Sequence, residues 1–233
     1  SEEKHFYYRS VHHLILGLIK RATAGRKKLK ILDAGCGTGG LAVQLQKLGQ
    51  VRAVDLHPSA VAYATSRGVD VVQSSLLELP FADGEFDLVT CVDVIYHRNI
   101  DSDVAALSQL KRVLKPGGVL VMRVPARSEL HSSHDDLVWT ERRYSRRALA
   151  ESLKQAGLVA EQISYCHGLL YLPALVKAKL DKLAKSKEHS AVEETSSLVN
   201  AIAQKVLMAE SSLVIGGLNL PIGLGIVAVA RPQ

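Results

Sequence analysis

Cysteine is scarce here. Cys36, Cys91 and Cys166 stand far apart and form no Cys-x-x-Cys pair. That excludes a zinc ribbon and a disulfide framework, and it fits a reducing, cytoplasmic setting. No run of about eighteen apolar residues occurs anywhere, so no transmembrane span is expected. The first residues carry no leader-like pattern, although the chain starts on Ser1 rather than Met. A concentrated charge of one sign is also missing. The net charge of +6 over 233 residues is a mild excess, which reads as solvated faces rather than a basic tail. There is no internal repeat, no low-complexity tract and no aromatic-rich, glycine-spaced segment of the RNA-binding kind.

What is present is enough apolar material, 47% of the chain, for one α/β domain with a single sizeable core and an appended lid. The stretch that organises the rest is Lys30 to Gly40, KILDAGCGTGG. Leu29, Ile31 and Leu32 run into Asp33 and then into a glycine-dense turn, followed by helical Leu41–Leu45. This is a buried strand, a tight turn and a helix start. Gly35, Gly37 and Gly39 remove the Cβ atoms that would hold a flat ligand off the backbone. Gly35, Gly37 and Gly40 also satisfy G-x-G-x-x-G, with an acid, Asp55, about twenty residues on. A dinucleotide and a phosphate-free nucleoside cofactor therefore compete for this loop.

Around it, strand and helix patterns alternate. An amphipathic helix is expected over 6–23, its apolar stripe at Leu14, Ile15, Leu18 and Ile19 lying beside Arg9, His13 and Lys20. Strands are expected at Val51–Leu56, Val69–Gln73, Phe86–Val94, Val119–Val124, Val159–Tyr165 and Leu224–Ala230. Helices are expected at Ser59–Arg67, at Asp101–Leu114 with an acid as its cap, from Ser145 to Gln155, and through most of 169–210. Such alternation predicts a doubly wound parallel sheet with ligands at the carboxyl ends of its strands. The whole chain reads as one domain. Residues 1–28 form a helical lid, 29–125 the cofactor-binding core, 126–144 an active-site loop and 166–217 a helical insertion that caps the acceptor.

Several motifs recur in order: Asp33-x-Gly35-x-Gly37-x-Gly39, Asp55, Leu79-Pro80-Phe81, Phe86-Asp87-Leu88-Val89 and Arg112-Val113-Leu114-Lys115-Pro116-Gly117-Gly118. In these, residues from about 29 to 125 resemble class I S-adenosylmethionine-dependent methyltransferases, in the group that includes ubiquinone and menaquinone biosynthesis enzymes. The resemblance implies S-adenosylmethionine as cofactor and a Rossmann-like seven-stranded sheet of order 3-2-1-4-5-7-6 with the last strand antiparallel. An acid two residues before the first glycine suits a cationic ammonium and sulfonium, and a pyrophosphate would gain nothing from it. By the same likeness the cofactor is expected on Asp33, Gly35, Cys36, Gly37, Gly39, Asp55, Leu56, Ser75, Leu76, Cys91 and Val92. The family usually has an acid where this chain has Ser75.

The acceptor is less legible. Methyl transfer is an in-line displacement that needs the nucleophile held in place and, for some acceptors, a base. His134, beside Asp135, and His97, after strand four, are the candidate bases. Tyr7, Tyr8, Tyr96, His131 and Tyr171 are the candidate acceptor contacts. His131 and His134 lack a third ligand, so no metal is expected. Strand four ends in Asp93-Val94-Ile95-Tyr96, not in the Asn- or Asp-Pro-Pro-aromatic quartet by which the family methylates exocyclic amines. That counts against DNA and protein glutamine. The expected partner is a small lipophilic or aromatic acceptor, with RNA as a weaker alternative and a non-catalytic scaffold as another. Lysines 177, 179, 182, 185 and 187 beyond an apolar stretch suggest shallow membrane contact through 169–187.

Overall fold

Ile31, Leu32, Asp33 and Ala34 are all buried, which is what a strand covered on both faces demands of its sequence. That strand is β1 (Leu29–Ala34) of the computed structural model, which describes residues 6–130, 140–184 and 197–233. After it come α2 (Gly40–Leu45), β2 (Gly49–Asp55), α3 (Pro58–Ser66), β3 (Asp70–Gln73) and β4 (Phe86–Val92). Next are α4 (Asp103–Val113), β5 (Leu114–Pro125), α5 (Arg146–Gln155) and β6 (Leu158–Cys166). The chain closes with α6 (Tyr171–Ala184), α7 (Ser197–Ile215) and β7 (Gly225–Pro232), and α1 (Phe6–Ala22) precedes them all.

The seven strands lie in the order β3-β2-β1-β4-β5-β7-β6, with β7 antiparallel to both β5 and β6. The strand order reverses between β1 and β4, the place where open α/β sheets bind ligands. One face of the sheet is covered by α4 and α5 through Leu107, Leu110, Leu149 and Leu153. The other is covered by α1, α2, α3 and α7, through Leu14, Ile15, Leu18, Ile19, Leu41, Leu45, Ala64 and Val214. Helix α1 thus does more than close over a site: it fills one layer of the core. It crosses α7 at Gly17, where a Cβ would lie 2.2 Å from Ile215 Cδ1.

Local chemistry differs from expectation in places. The cap of α4 is the hydroxyl of Ser102, which accepts from Ala105 N, rather than the carboxylate of Asp101. Ser145 caps α5 as expected, accepting from Ala148 N. Lys115 to Gly118 form an irregularity within β5, where pairing jumps from Phe86–Leu114 to Leu88–Val119 and Gly117 takes φ 74°. Arg112 explains why its motif and Leu79-Pro80-Phe81 occur together: its guanidinium donates to the carbonyls of Leu79 and Phe81, both at 2.8 Å, and to Asp83. Asp87 is structural, accepting from Lys30 N and pairing with Lys115.

Among the described residues no helix is long and apolar enough to cross a membrane. Leu172 and Val176 on α6 are exposed. Lys185 and Lys187, invoked for membrane contact, lie outside the described residues.

Candidate functional site

At the carboxyl ends of β1, β2 and β4 the structure holds a cavity of about 1110 Å³. That exceeds the usual span of a single small-ligand pocket, roughly 300–1,000 Å³. Its floor is the Gly-rich turn. Gly35, Gly37 and Gly39 all have positive φ, between 53° and 81°, a region that side-chain-bearing residues rarely occupy. Gly35 is also sterically required, since a Cβ there would lie 2.3 Å from Val94 Cγ2. A Cβ on Gly37 would meet nothing within 4 Å, so the backbone at this point is open to a ligand. Gly35→Ala is accordingly expected to cost about 2–4 kcal/mol through overpacking and backbone strain. Urea denaturation reads this directly, and a loss under 1 kcal/mol would show that the turn relaxes.

Asp33 lies one residue before the end of β1, beside this turn. The parallel register sets it beside Thr90, whose hydroxyl donates to Asp33 Oδ1 at 2.7 Å. Its other oxygen, Oδ2, is buried without a hydrogen-bond partner. Burial pushes the Asp33 carboxyl up to about 6, opposed by the Thr90 hydrogen bond and reinforced by Asp55. A buried, unpartnered carboxylate oxygen lining a cavity calls for a cation. Asp55, at the end of β2, is held differently: Oδ2 accepts from Gly37 N at 2.8 Å and Oδ1 from His57 N at 3.0 Å. Both oxygens keep a lone pair for ligand hydroxyls. Leu56, Ser75, Leu76 and Val92 complete this end of the cavity, with Cys36 in the turn. The Cys36 thiol is pushed up to about 12 by burial, Asp33 and Asp55, so it is inert.

Other expected contacts are placed elsewhere. Cys91 is fully buried in the core and does not line the cavity, because adjacent strand residues point to opposite faces and Val92 takes the cavity side. Gly39 packs under Ala64 and Val69 and serves the turn rather than the ligand. Tyr96 packs against the core and stacks on His97 at 5.3 Å. Tyr171 is remote, its hydroxyl donating to Glu129 Oε1 at 3.2 Å. Tyr7 and Tyr8 do line the cavity. His97 lines it too, near His57 and Asp55; burial and His57 lower its pKa, with Asp55 opposing. That neighbourhood is the β2 end of the cavity, where Asp55 and His57 lie. His131 and His134 lie outside the described residues.

The structure adds a buried polar network that the sequence did not reveal. Arg123 on β5 is 3% exposed, and its Nη1 donates to both carboxylate oxygens of Asp93, which follows β4 with φ 58°. The Arg123 guanidinium also donates to the Tyr7 hydroxyl and lies over the Tyr7 ring. A glycine at 225 admits it, since a Cβ there would lie 2.7 Å from Arg123 Nη2. Beyond Tyr7, His167 is buried and meets Ser10 Oγ through Nε2 at 3.0 Å. The Ser10 hydroxyl proton goes to the Tyr7 carbonyl, so the imidazole donates through Nε2 and its Nδ1 carries the lone pair. Burial and then Arg123 lower the His167 pKa to about 3, which keeps the ring neutral.

Residues 32–122 match the family model described as a methyltransferase domain. That segment, the core of this chain, is similar to methyltransferase domains. Similar proteins include a demethylmenaquinone methyltransferase of Staphylococcus aureus (strain MRSA252), 36% identical over 105 residues, which are 41% of this chain and 43% of that protein. The chain thus spans less than half the length of the curated relatives it matches. The geranyl diphosphate C-methyltransferase of Streptomyces coelicolor A3(2) superposes with a TM-score of 0.62 at 18% identity, covering 94% of this chain and 76% of that one. Phosphoethanolamine N-methyltransferase 2 of Haemonchus contortus gives 0.61 at 20% identity, covering 94% and 52%. The chain therefore shares the fold of these methyltransferases, and the matched segment carries the Gly-rich turn, Asp33 and Asp55 together.

Proposed function

We propose that this chain transfers a methyl group from S-adenosylmethionine to a small acceptor with an apolar or aromatic body. The observation that carries the reading is Asp33 Oδ2, buried and unpartnered at the floor of a glycine turn whose backbone is open to a ligand. The residues present fit the cofactor. Asp33 would receive its ammonium, Asp55 its ribose hydroxyls, and Leu56, Ser75 and Leu76 its adenine. When bound, S-adenosylmethionine supplies an electrophilic methyl carbon.

The chain's own residues do the rest. Asp33 and Asp55 hold the cofactor in one orientation, while Tyr7, Tyr8, Val11 and Met208 wall the α1 and α7 side of the cavity. Holding two reactants in line accounts for much of the rate of such a displacement. Asp93, locked by Arg123, presents a carboxylate to the cavity that can orient a donor on the acceptor.

The test is incubation of the full chain with S-adenosylmethionine labelled on the methyl group and a host extract, followed by fractionation. Label in organic-extractable small molecules is expected. Label in precipitable, nuclease-sensitive material would replace this reading by RNA methylation, and no transfer from a chain that binds the cofactor would point to a non-catalytic protein.

A further inference from the structure

The cavity continues past the cofactor end along α1, which lines it with polar Arg9, His12 and His13 beside apolar Val11 and Leu16. Arg9 and His13, spaced one turn apart, read in the sequence as a solvated flank of an amphipathic helix. In the structure the buried stripe of α1 is Ser10, Val11, Leu14, Ile15, Leu18 and Ile19, and this turns Arg9 and His13 toward the cavity. His13 Nε2 is buried there without a hydrogen-bond partner. An imidazole nitrogen taken out of water lacks its usual compensation until something polar reaches it. Side chains at i and i+4 start about 5–6 Å apart, a separation that one carboxylate or phosphate group can bridge.

The charge balance of the cavity points the same way. Three carboxylates line it; Asp55 and Asp93 are engaged within the protein, and Asp33 keeps one oxygen for the cofactor. Asp55 accepts from two backbone N–H groups. Asp93 is paired with Arg123. Asp33 lies under the glycine turn, bonded to Thr90 and facing the cofactor end. Arg67, also at the cavity, is engaged with the Thr38 carbonyl at 3.4 Å and with the Tyr63 ring. Among the described residues Arg9 has no ion-pair partner, and it lines the α1 end of the cavity.

We propose that Arg9 and His13 are a recognition site for an anionic group, carboxylate or phosphate, on the methyl acceptor. The body of the acceptor then lies against Tyr8, Val11 and Met208. This rests on the methyltransferase reading and deepens it: the acceptor is amphiphilic, with an acidic head beside α1. Guanidinium and imidazole N–H groups donate to such a head through charge-assisted hydrogen bonds, which a neutral isostere forfeits.

The experiment uses the full chain, with and without saturating S-adenosylhomocysteine, and titrates 1-naphthoate, 1-naphthyl phosphate and neutral 1-naphthamide by calorimetry. At least one anion is expected to bind about tenfold or more tightly than the amide, and the tighter of the two names the acidic group. Arg9→Gln is expected to erase that preference and Arg9→Lys to keep part of it, with His13→Asn weakening it less. Equal binding of amide and anions, or a preference that survives Arg9→Gln, would overturn the proposal. The affinity for S-adenosylhomocysteine is read in the same series. Tight cofactor binding without an anion preference removes the anion site alone. A preserved anion preference without cofactor binding removes the methyltransferase reading and keeps the site.

Discussion

Replacing Asp33 by asparagine is expected to lower affinity for S-adenosylhomocysteine about 100-fold or more, while the ligand-free protein stays at least as stable at pH 7. The two halves of this result have one cause. Asp33 keeps its charge in a buried site, bonded through one oxygen to Thr90 and with the other unpartnered. Truncating one member of a buried charged pair costs about 2–5 kcal/mol of binding. For the free protein the sign is opposite. Burial raises the Asp33 carboxyl from 3.8 to about 6. A folded-state pKa above the unfolded one contributes stability that is present below about pH 4 and lost as pH rises through 6. At pH 7 the ionised carboxylate therefore costs about 3 kcal/mol, from roughly 1.4 kcal/mol for each pH unit between the two values. Asparagine keeps the acceptor for Thr90 and removes the charge, but its amide nitrogen takes back about 1–3 kcal/mol. Urea unfolding of the variant should lack the decline between pH 4 and 7 that Asp33 imposes on the parent. Binding of S-adenosylhomocysteine by the parent should weaken below about pH 6, where Asp33 is protonated. An asparagine variant with unchanged affinity would remove Asp33 from the cofactor site.

Replacing Arg123 by methionine is expected to destabilise the protein by about 3–5 kcal/mol, the usual cost of leaving the partner of a buried ion pair uncompensated. The guanidinium is buried in a network with Asp93 and Tyr7. Its loss strips the Tyr7 hydroxyl, already pushed up to about 12 by burial, of its donor. Pairing the change with Asp93→Asn should cost less than the sum of the single losses, because neither variant then leaves a charge alone. Tyr7→Phe should cost about 1.5–3 kcal/mol, as for other hydrogen bonds to charged groups. Strict additivity in urea denaturation would mean that Arg123 and Asp93 do not act as a unit.

Much of the site was readable because its chemistry is local. Asp33, Gly35, Gly37, Asp55 and Leu56 lie within a few residues of two strand ends, and the cavity forms where those ends meet. Cys91 and Val92 show the limit of that reading: two neighbours at the end of one strand, of which the pleat sends one into the core and one to the cavity. Position along the strand was legible, but its facing was not. Tyr171 looked suitable for an acceptor wall by residue type, yet it serves Glu129 and Arg127 away from the cavity.

By itself the sequence determined the alternation of strands and helices, the glycine turn, the acids that flank it and the Ser145 cap. Each is set by residues that touch within a few positions, so each follows from propensity and spacing. Only the tertiary structure decided the rest. Arg123 reads as one polar residue in an apolar strand, and its meaning comes from Asp93, Tyr7 and Gly225, which reach it from three other elements. Arg9 and His13 read as the wet side of a helix until that helix, packed by Leu14, Leu18 and Gly17 against the sheet and α7, turns them to the cavity. The physical reason is the same in both cases: a side chain's role depends on what the packed core sets opposite it, and that pairing is written across distant stretches of the chain.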